Sequence, residues 1–407
     1  MRGGASDTVG EVNAPRLVLH MSYHPFRLDE RTIATNAKFL EVMLEYGRRW
    51  PGQIDLLLER STERRPIEVV EMPLADLPVN AVEIDRHALH PGLFPAEAVA
   101  YCVLEGGFRH LARYVSNADR RLVRGCDVPG NVTAESLAAE PRSLARRLRA
   151  AMWVRREIRD QRREVSEAAA LHSNQYPAYD FFAEQARARH VFIDNPLRSG
   201  DLPSAAQRTA RIERLTAGGP LRLVFSGRLD SMKNPLDLAA VARELRARGV
   251  PFEFDVFGDG PLRAELERRA TADGLGSQFR VHGFVDFRSV LLPFLHDTAD
   301  MYVCPHRQGD PSTTYVEMMC SGVPIVSYPN TAVRLMRDHH GIVTLASAMT
   351  PAALADEVQR VHRQRAELVD ASRDGFEFGS THTVEVCYQG QVDHLLEVHE
   401  RAMHHNG

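Results

Sequence analysis

The stretch Leu221–Phe257, LRLVFSGRLDSMKNPLDLAAVARELRARGVPFEFDVF, holds the plan of the fold. Leu221–Ser226 is a short apolar, β-rich run, which predicts a buried strand. Asn234-Pro235 then supplies a cap followed by proline at a first helical position. From Asp237 to Gly249 the apolar residues Leu238, Val241, Ala242 and Leu245 fall at helical spacing, and Gly249 closes the element. Phe252–Phe257 is a second strand. One strand, one helix and a second strand in about 37 residues make a βαβ unit, and such units build parallel sheets.

The same alternation continues toward the C-terminus. A Gly-Asp-Gly-Pro turn (Gly258–Pro261) leads to a helix over Leu262–Asp273, then a strand over Phe279–Val285 and a helix near Ser289–His296. A strand over Asp300–Pro305, a helix from about Ser312 and a strand over Val323–Tyr328 follow. The expected fold class is α/β: doubly wound parallel sheets with helices on both faces. The first half has the same grammar in a less regular form. Arg16–Tyr23 reads as a strand, and Asp29 is placed to cap a long helix to about Arg49. IDLLLE and IEVVEM are strand candidates, Glu97–Ser116 and Arg142–Glu167 helical. Ala168–Ser173, a helix from Tyr179 to about Arg189, and a strand at His190–Pro196 complete it. This predicts a first Rossmann-like domain over 1–198, a polar linker over 199–220, a second such domain over 221–385 and a C-terminal helix over 386–407, which is expected to pack back toward the first domain.

Composition narrows the function. With 407 residues the chain is long enough for two full domains, and 44% hydrophobic with 26% charged residues is ordinary for a globular protein. A formal charge of −4 argues against a nucleic-acid-coating protein. The first residues lack a hydrophobic signal core and no apolar run approaches the ~18–20 residues of a membrane span, so the expected location is cytoplasmic. Five cysteines without a CxxC read as reduced thiols. Nine arginines against three acids over Arg142–Glu164, with Leu144, Leu148, Met152 and Ile158 on one face, suit either a membrane-docking helix or a solvated face in an arginine-rich chain. The solvated face is the expectation. Of the 50 basic residues only Lys38 and Lys233 are lysine, so a surviving lysine invites a reason. Lys38 falls inside a predicted helix with no motif around it, and no role is assigned to it.

Three segments carry chemistry: SGRLDSMKN (Ser226–Asn234), FGDGPLRAELE (Phe257–Glu267) and DPSTTYVEMMCSGVPIV (Asp310–Val326). Taken in order they resemble the C-terminal domain of retaining GT-B glycosyltransferases of family 4, the glycosyl transferases group 1, over about Leu221–Ala346. The resemblance implies two facing Rossmann-like domains, a nucleotide-sugar donor held by the second and an acceptor held by the first. It implies that Arg228 and Lys233, in the loop opened by Gly227, stabilise the departing diphosphate. It places Ser312, Thr313, Thr314 and Tyr315 at the donor sugar and diphosphate, and Glu317 at the ribose hydroxyls. Gly258 borders the base pocket, and His282 and Phe284 sit where the base packs. Two cations beside a leaving group whose charge grows would make a metal unnecessary, so neither cofactor nor metal is expected. The family's second acidic residue, eight positions before Glu317, is Gly309 here. Asp310 is its nearest substitute. On the acceptor side the candidates are Tyr23, His24 and Arg124. A nucleotide-sugar epimerase of the same fold and a catalytically silent nucleotide-sugar-binding protein remain alternatives.

Overall fold

The computed structural model describes residues 14–21, 26–27, 29–59, 70–85, 88–104, 110–139 and 143–404. Tyr23 and His24 lie outside them.

Two parallel sheets dominate. In the first half, seven strands run in the spatial order Arg189–Phe192, Ala170–Asn174, Leu122–Cys126, Val99–Val103, Leu17–His20, Ile54–Glu59 and Asn80–Ile84, every neighbouring pair parallel. In the second half, six parallel strands run in the order Phe279–Gly283, Phe252–Phe257, Leu221–Ser226, Met301–Cys304, Ile325–Ser327 and Val343–Leu345. In each sheet the strand order reverses beside the first strand. Ligands in open α/β sheets settle in the crevice at such a reversal. In the second half that point lies between the carboxyl ends of Leu221–Ser226 and Met301–Cys304. Leu223, Val224, Phe225, Met301, Tyr302 and Val303 are all fully buried, as expected for strands covered on both faces.

The first half departs from several sequence expectations. The helix Ala37–Arg49 is capped by Asn36, whose side chain accepts from the Phe39 N–H at 2.6 Å. Asp29 instead closes a turn, accepting from the Arg31 and Thr32 N–H groups. Thr32–Thr35 forms an antiparallel sheet with Phe26–Arg27 and Val70–Pro73, so Val70–Met72, the described part of IEVVEM, belongs to this small sheet and Asn80–Ile84 takes the place in the large one. The stretch expected to be helical from Glu97 contains the strand Val99–Val103, and Arg124 lies within Leu122–Cys126. Two helices also differ. The helix expected from Tyr179 is the short Tyr176–Phe181, and the polar stretch before Leu221 contains the helix Ala205–Ala217, started by a reciprocal Ser204–Gln207 capping box.

Helix Leu144–Ser166 forms where expected, and of its expected apolar face only Ile158 is half-buried, beside Gly130. Leu144 is 84% exposed and Leu148 and Met152 are also exposed, while Val154, Gln161, Glu164 and Val165 are the buried residues. No helix among the described residues is long and apolar enough to cross a membrane. The C-terminal helix Val384–His404 lies on the first half. Val384, Tyr388, Val392, Leu395 and Val398 join the core built on Leu17, Leu19, Tyr46 and Val99, and the Tyr46 hydroxyl donates to Gln391 at 2.8 Å. All five cysteines are buried and free.

Two loops of the second half touch backbone to backbone. The Gly227 N–H donates to the Phe257 carbonyl at 3.1 Å, and the Leu229 N–H to the Asp259 carbonyl at 2.9 Å. Gly258 has φ +128°, and a methyl group there would land on the Gly227 carbonyl. Gly249, at φ +70°, faces open space. Gly249→Ala should therefore cost about 1 kcal/mol through its left-handed backbone alone. Gly258→Ala, which also collides with backbone, should cost at least about 3 kcal/mol. Urea unfolding of the two variants measures this, and equal losses would refute the close-approach account.

Candidate active site

The loop after Leu221–Ser226 is built to hold a lysine at the crevice. Asp230 accepts from the N–H groups of Met232 and Lys233 at 3.0 and 3.2 Å, closing a turn. Asn234 takes a left-handed φ of +50°, and its side chain donates to Asp237 at 2.7 Å and to the Pro305 carbonyl at 3.2 Å. That last bond ties the loop to the one following Met301–Cys304. Lys233, 12% exposed, faces Asp310 across the gap at 3.7 Å. Arg228 stands differently. It is 66% exposed and meets Asp230 at 3.2 Å. One cation is sheltered and the other is largely exposed.

Below the pair lies a polar layer with no counterpart in the sequence reading. His306 is fully buried, its Nδ1 shares a hydrogen bond with the Tyr315 hydroxyl at 2.9 Å, and its Nε2 has no hydrogen-bond partner among the described residues. Burial, reinforced by Lys233, holds this imidazole well below its usual pKa, so it is neutral. Tyr315, expected at the donor, is thus a core residue that fixes His306. Helix Thr313–Cys320 starts after Ser312, whose carbonyl accepts from the Gln175 side chain of the first half at 3.2 Å. Thr313 and Thr314 stand half-buried on its first turn. Gln175 is buried at φ +56° with its Oε1 unpartnered among the described residues, and non-glycine strain of this kind collects at functional sites.

Glu317 follows one turn into that helix. Burial lifts its carboxyl to about 7, while Lys38 draws it down and Asp194 pushes it up. Lys38 and Asp194 form an ion pair within the first half. Lys38, given no role from sequence, therefore stands in the first turn of its helix and acts across the cleft on Glu317. Its rarity was the available signal. Elsewhere, His282 stacks on Phe257 at 4.5 Å and bonds Asp255 at 2.7 Å, while Phe284 beside it is 73% exposed. Arg124 is fully buried in the first sheet, 3.9 Å from Glu164, and is not a cleft residue. His172 is packed with His190 and His394 under the C-terminal helix.

Residues 220–364 match the family model described as glycosyl transferases group 1. The match spans the second sheet from Leu221–Ser226 to Val343–Leu345. Among curated proteins, the chain is 31% identical over 206 residues to a 2-deoxystreptamine glucosyltransferase of Streptomyces kanamyceticus, covering 48% of this chain and 51% of that one. The chain spans between 36% and 51% of the length of the curated relatives it matches. The fold likeness covers far more. Sucrose-phosphate synthase from Thermosynechococcus elongatus superposes with TM-score 0.61 at 13% identity, covering 94% of this chain and 98% of that one. Anabaena Alr3699/HepE in complex with UDP superposes with TM-score 0.55 at 13% identity, covering 94% and 99%. The architecture is the GT-B one, two Rossmann-like halves.

The raised Glu317 carboxyl has a consequence for stability. An acid whose folded pKa lies near 7 holds its proton in the folded state across the range where the unfolded chain has already lost it. The folded state therefore loses stability as pH rises from about 5 to 7, by about 2 kcal/mol, and no further above 7. Glu317→Gln should lack that slope, so its melting temperature should gain on the parent's between pH 5 and 7. Parallel profiles would show that the carboxyl titrates normally.

Proposed function

We propose that the protein is a retaining glycosyltransferase that moves a hexose-like sugar from a UDP- or GDP-sugar to a hydroxylated small molecule, natural product or polysaccharide intermediate seated on the first half. The observation that carries this reading is the Lys233–Asp310 pair at the strand-order reversal, with Glu317 one turn beyond it. An ammonium this sheltered needs an anion beside it, and a diphosphate carries more charge than Asp310. Support comes from the relative named for glucosyl transfer to 2-deoxystreptamine and from the fold neighbour that holds UDP. The former also favours a small polar acceptor.

Each residue then has a task. Lys233 exchanges Asp310 for the donor diphosphate, and Arg228 swings in from solvent to the same group. First-turn amides of helix Thr313–Cys320 donate to phosphate oxygens. Glu317 accepts from the ribose hydroxyls, and the exposed ring of Phe284 with His282 offers the base a surface. The C1–oxygen bond to the diphosphate breaks and its electron pair leaves with the diphosphate. The acceptor hydroxyl bonds to C1 on the same face and gives its proton to a diphosphate oxygen. No protein nucleophile enters, and two side-chain cations take the place of a metal, so activity should survive a chelator. Relatives named as transferases favour transfer over epimerisation or silent binding.

The nucleotide is testable without knowing the acceptor. UDP or GDP should raise the melting temperature by mass action, and one should do so at lower concentration than the other. Lys233→Ala should abolish most of that shift and slow turnover of the donor roughly 100-fold or more. A Lys233→Ala variant that binds and turns over donor like the parent would remove the proposed chemistry.

A further inference from the structure

A carboxylate of the first half occupies the space where a residue-309 side chain would stand. Glu135 lies on helix Gly130–Ala139, which starts shortly after the strand Leu122–Cys126 and reaches across the cleft. Its Oε1 accepts from the Thr331 hydroxyl of the second half. Its Oε2 lies 2.6 Å from the position a Cβ on Gly309 would take, and the Thr331 backbone nitrogen is 3.0 Å from the same point. The Thr331 Cβ stands 2.8 Å from that point as well, so a side chain at 309 would collide with both Glu135 and Thr331. The next residue is Asp310, the partner of Lys233. A sugar hanging from a diphosphate held by Lys233 would have Glu135 as a nearby carboxylate contributed by the opposite domain.

We propose that Glu135 is the residue that reads the donor sugar, accepting hydrogen bonds from its ring hydroxyls across the domain boundary, with Gly309 kept side-chain-free to admit it. This rests on the glycosyltransferase reading above. Two chemical arguments support it. A carboxylate offers two acceptor oxygens, which suits a pair of neighbouring hydroxyls, and charged hydrogen bonds discriminate more strongly than neutral ones. Glu135 also sits at the first residue of helix Thr331–His340, whose N-terminal partial charge favours an ionised group there. Because the carboxylate belongs to the first half and the diphosphate site to the second, sugar selection requires both halves to be in register. The alternative role for the same contact is a latch between halves that never touches sugar.

The test removes the carboxylate. Turnover of a panel of UDP- and GDP-hexoses, including deoxy analogues, is measured with the parent, Glu135→Ala, Gly309→Glu and Thr331→Val, alongside binding of free UDP and GDP. Glu135→Ala should lower kcat/KM for the sugar donor roughly 10- to 100-fold and leave free-nucleotide affinity unchanged. It should also flatten the preference between full and deoxy sugars. Gly309→Glu should be inactive through collision with Glu135 and Thr331. Thr331→Val keeps the carboxylate but removes its anchor, so it should lose less than Glu135→Ala. If Thr331→Val reproduces the whole loss, if only the acceptor KM moves, or if sugar discrimination is intact in Glu135→Ala, the inference falls. Should the parent bind neither nucleotide, it is the glycosyltransferase reading that fails instead.

Discussion

An ammonium held largely out of water beside one carboxylate is the constraint around which the second half is arranged. Lys233 is kept at the strand-order reversal by a turn closed on Asp230 and by an Asn234 side chain that straps two loops together. A pair at 3.7 Å is too long for a direct hydrogen bond, so Asp310 offsets the charge without saturating it. Neutral His306 beneath adds no second positive charge, because burial and Lys233 itself keep it unprotonated. The site thus has one sheltered cation in Lys233, and one exposed cation in Arg228 that rests on Asp230.

The two halves are joined by more than the chain passing between them. The helix Val384–His404 returns to complete the first core, and its Glu385 meets Arg198, which also reaches Glu41 and Glu45. Glu45 is buried with Arg48 and Arg49 beside it, so this node is a network rather than an isolated pair. Networks of charge-assisted bonds resist shear better than single surface pairs. Contacts at the cleft itself mix polar and aromatic groups: Gln175 on the Ser312 carbonyl, Glu135 on Thr331, and Tyr176 stacked on His339 at 3.7 Å with its hydroxyl sharing a hydrogen bond with His340 at 2.6 Å.

How much of this was legible depends on where the strands lie. In the second half the five expected strands are all present in the sheet, most of them apolar runs with glycine or proline at an end, and the sixth, the edge strand Val343–Leu345, is too short to stand out. In the first half, Val99–Val103 is a fully buried strand whose apolar run cannot be told from a helix by periodicity, and the apolar residues on either side complete a false helical pattern. Leu122–Cys126 is hidden further by Arg124 and Gly125, since a buried arginine in a central strand breaks the expected composition. At the site, the motif-bearing loops were readable because their residues are consecutive. Gln175, Asp194 and Glu135 were not, because each matters only through what it meets across the cleft.

Lys38 shows what a composition signal can and cannot carry. In a chain where 48 of 50 basic residues are arginine, both lysines stand at the boundary between the halves, one seated by Asp310 and one by Asp194. An arginine at either place would present a planar fork with five donors, which would lock onto a carboxylate in two-pronged fashion. A lysine offers a compact charge that can move between partners. Lys38 has two within its field, Asp194 and Glu317, and the second belongs to the other half. The carboxyl that Lys38 pulls toward ionisation is the one that burial pushes toward neutrality, so the charge state of Glu317 is coupled to a residue of the opposite half. The two lysines share one placement: each is a compact charge at the boundary between the halves, set beside a single carboxylate rather than locked onto it by a two-pronged fork.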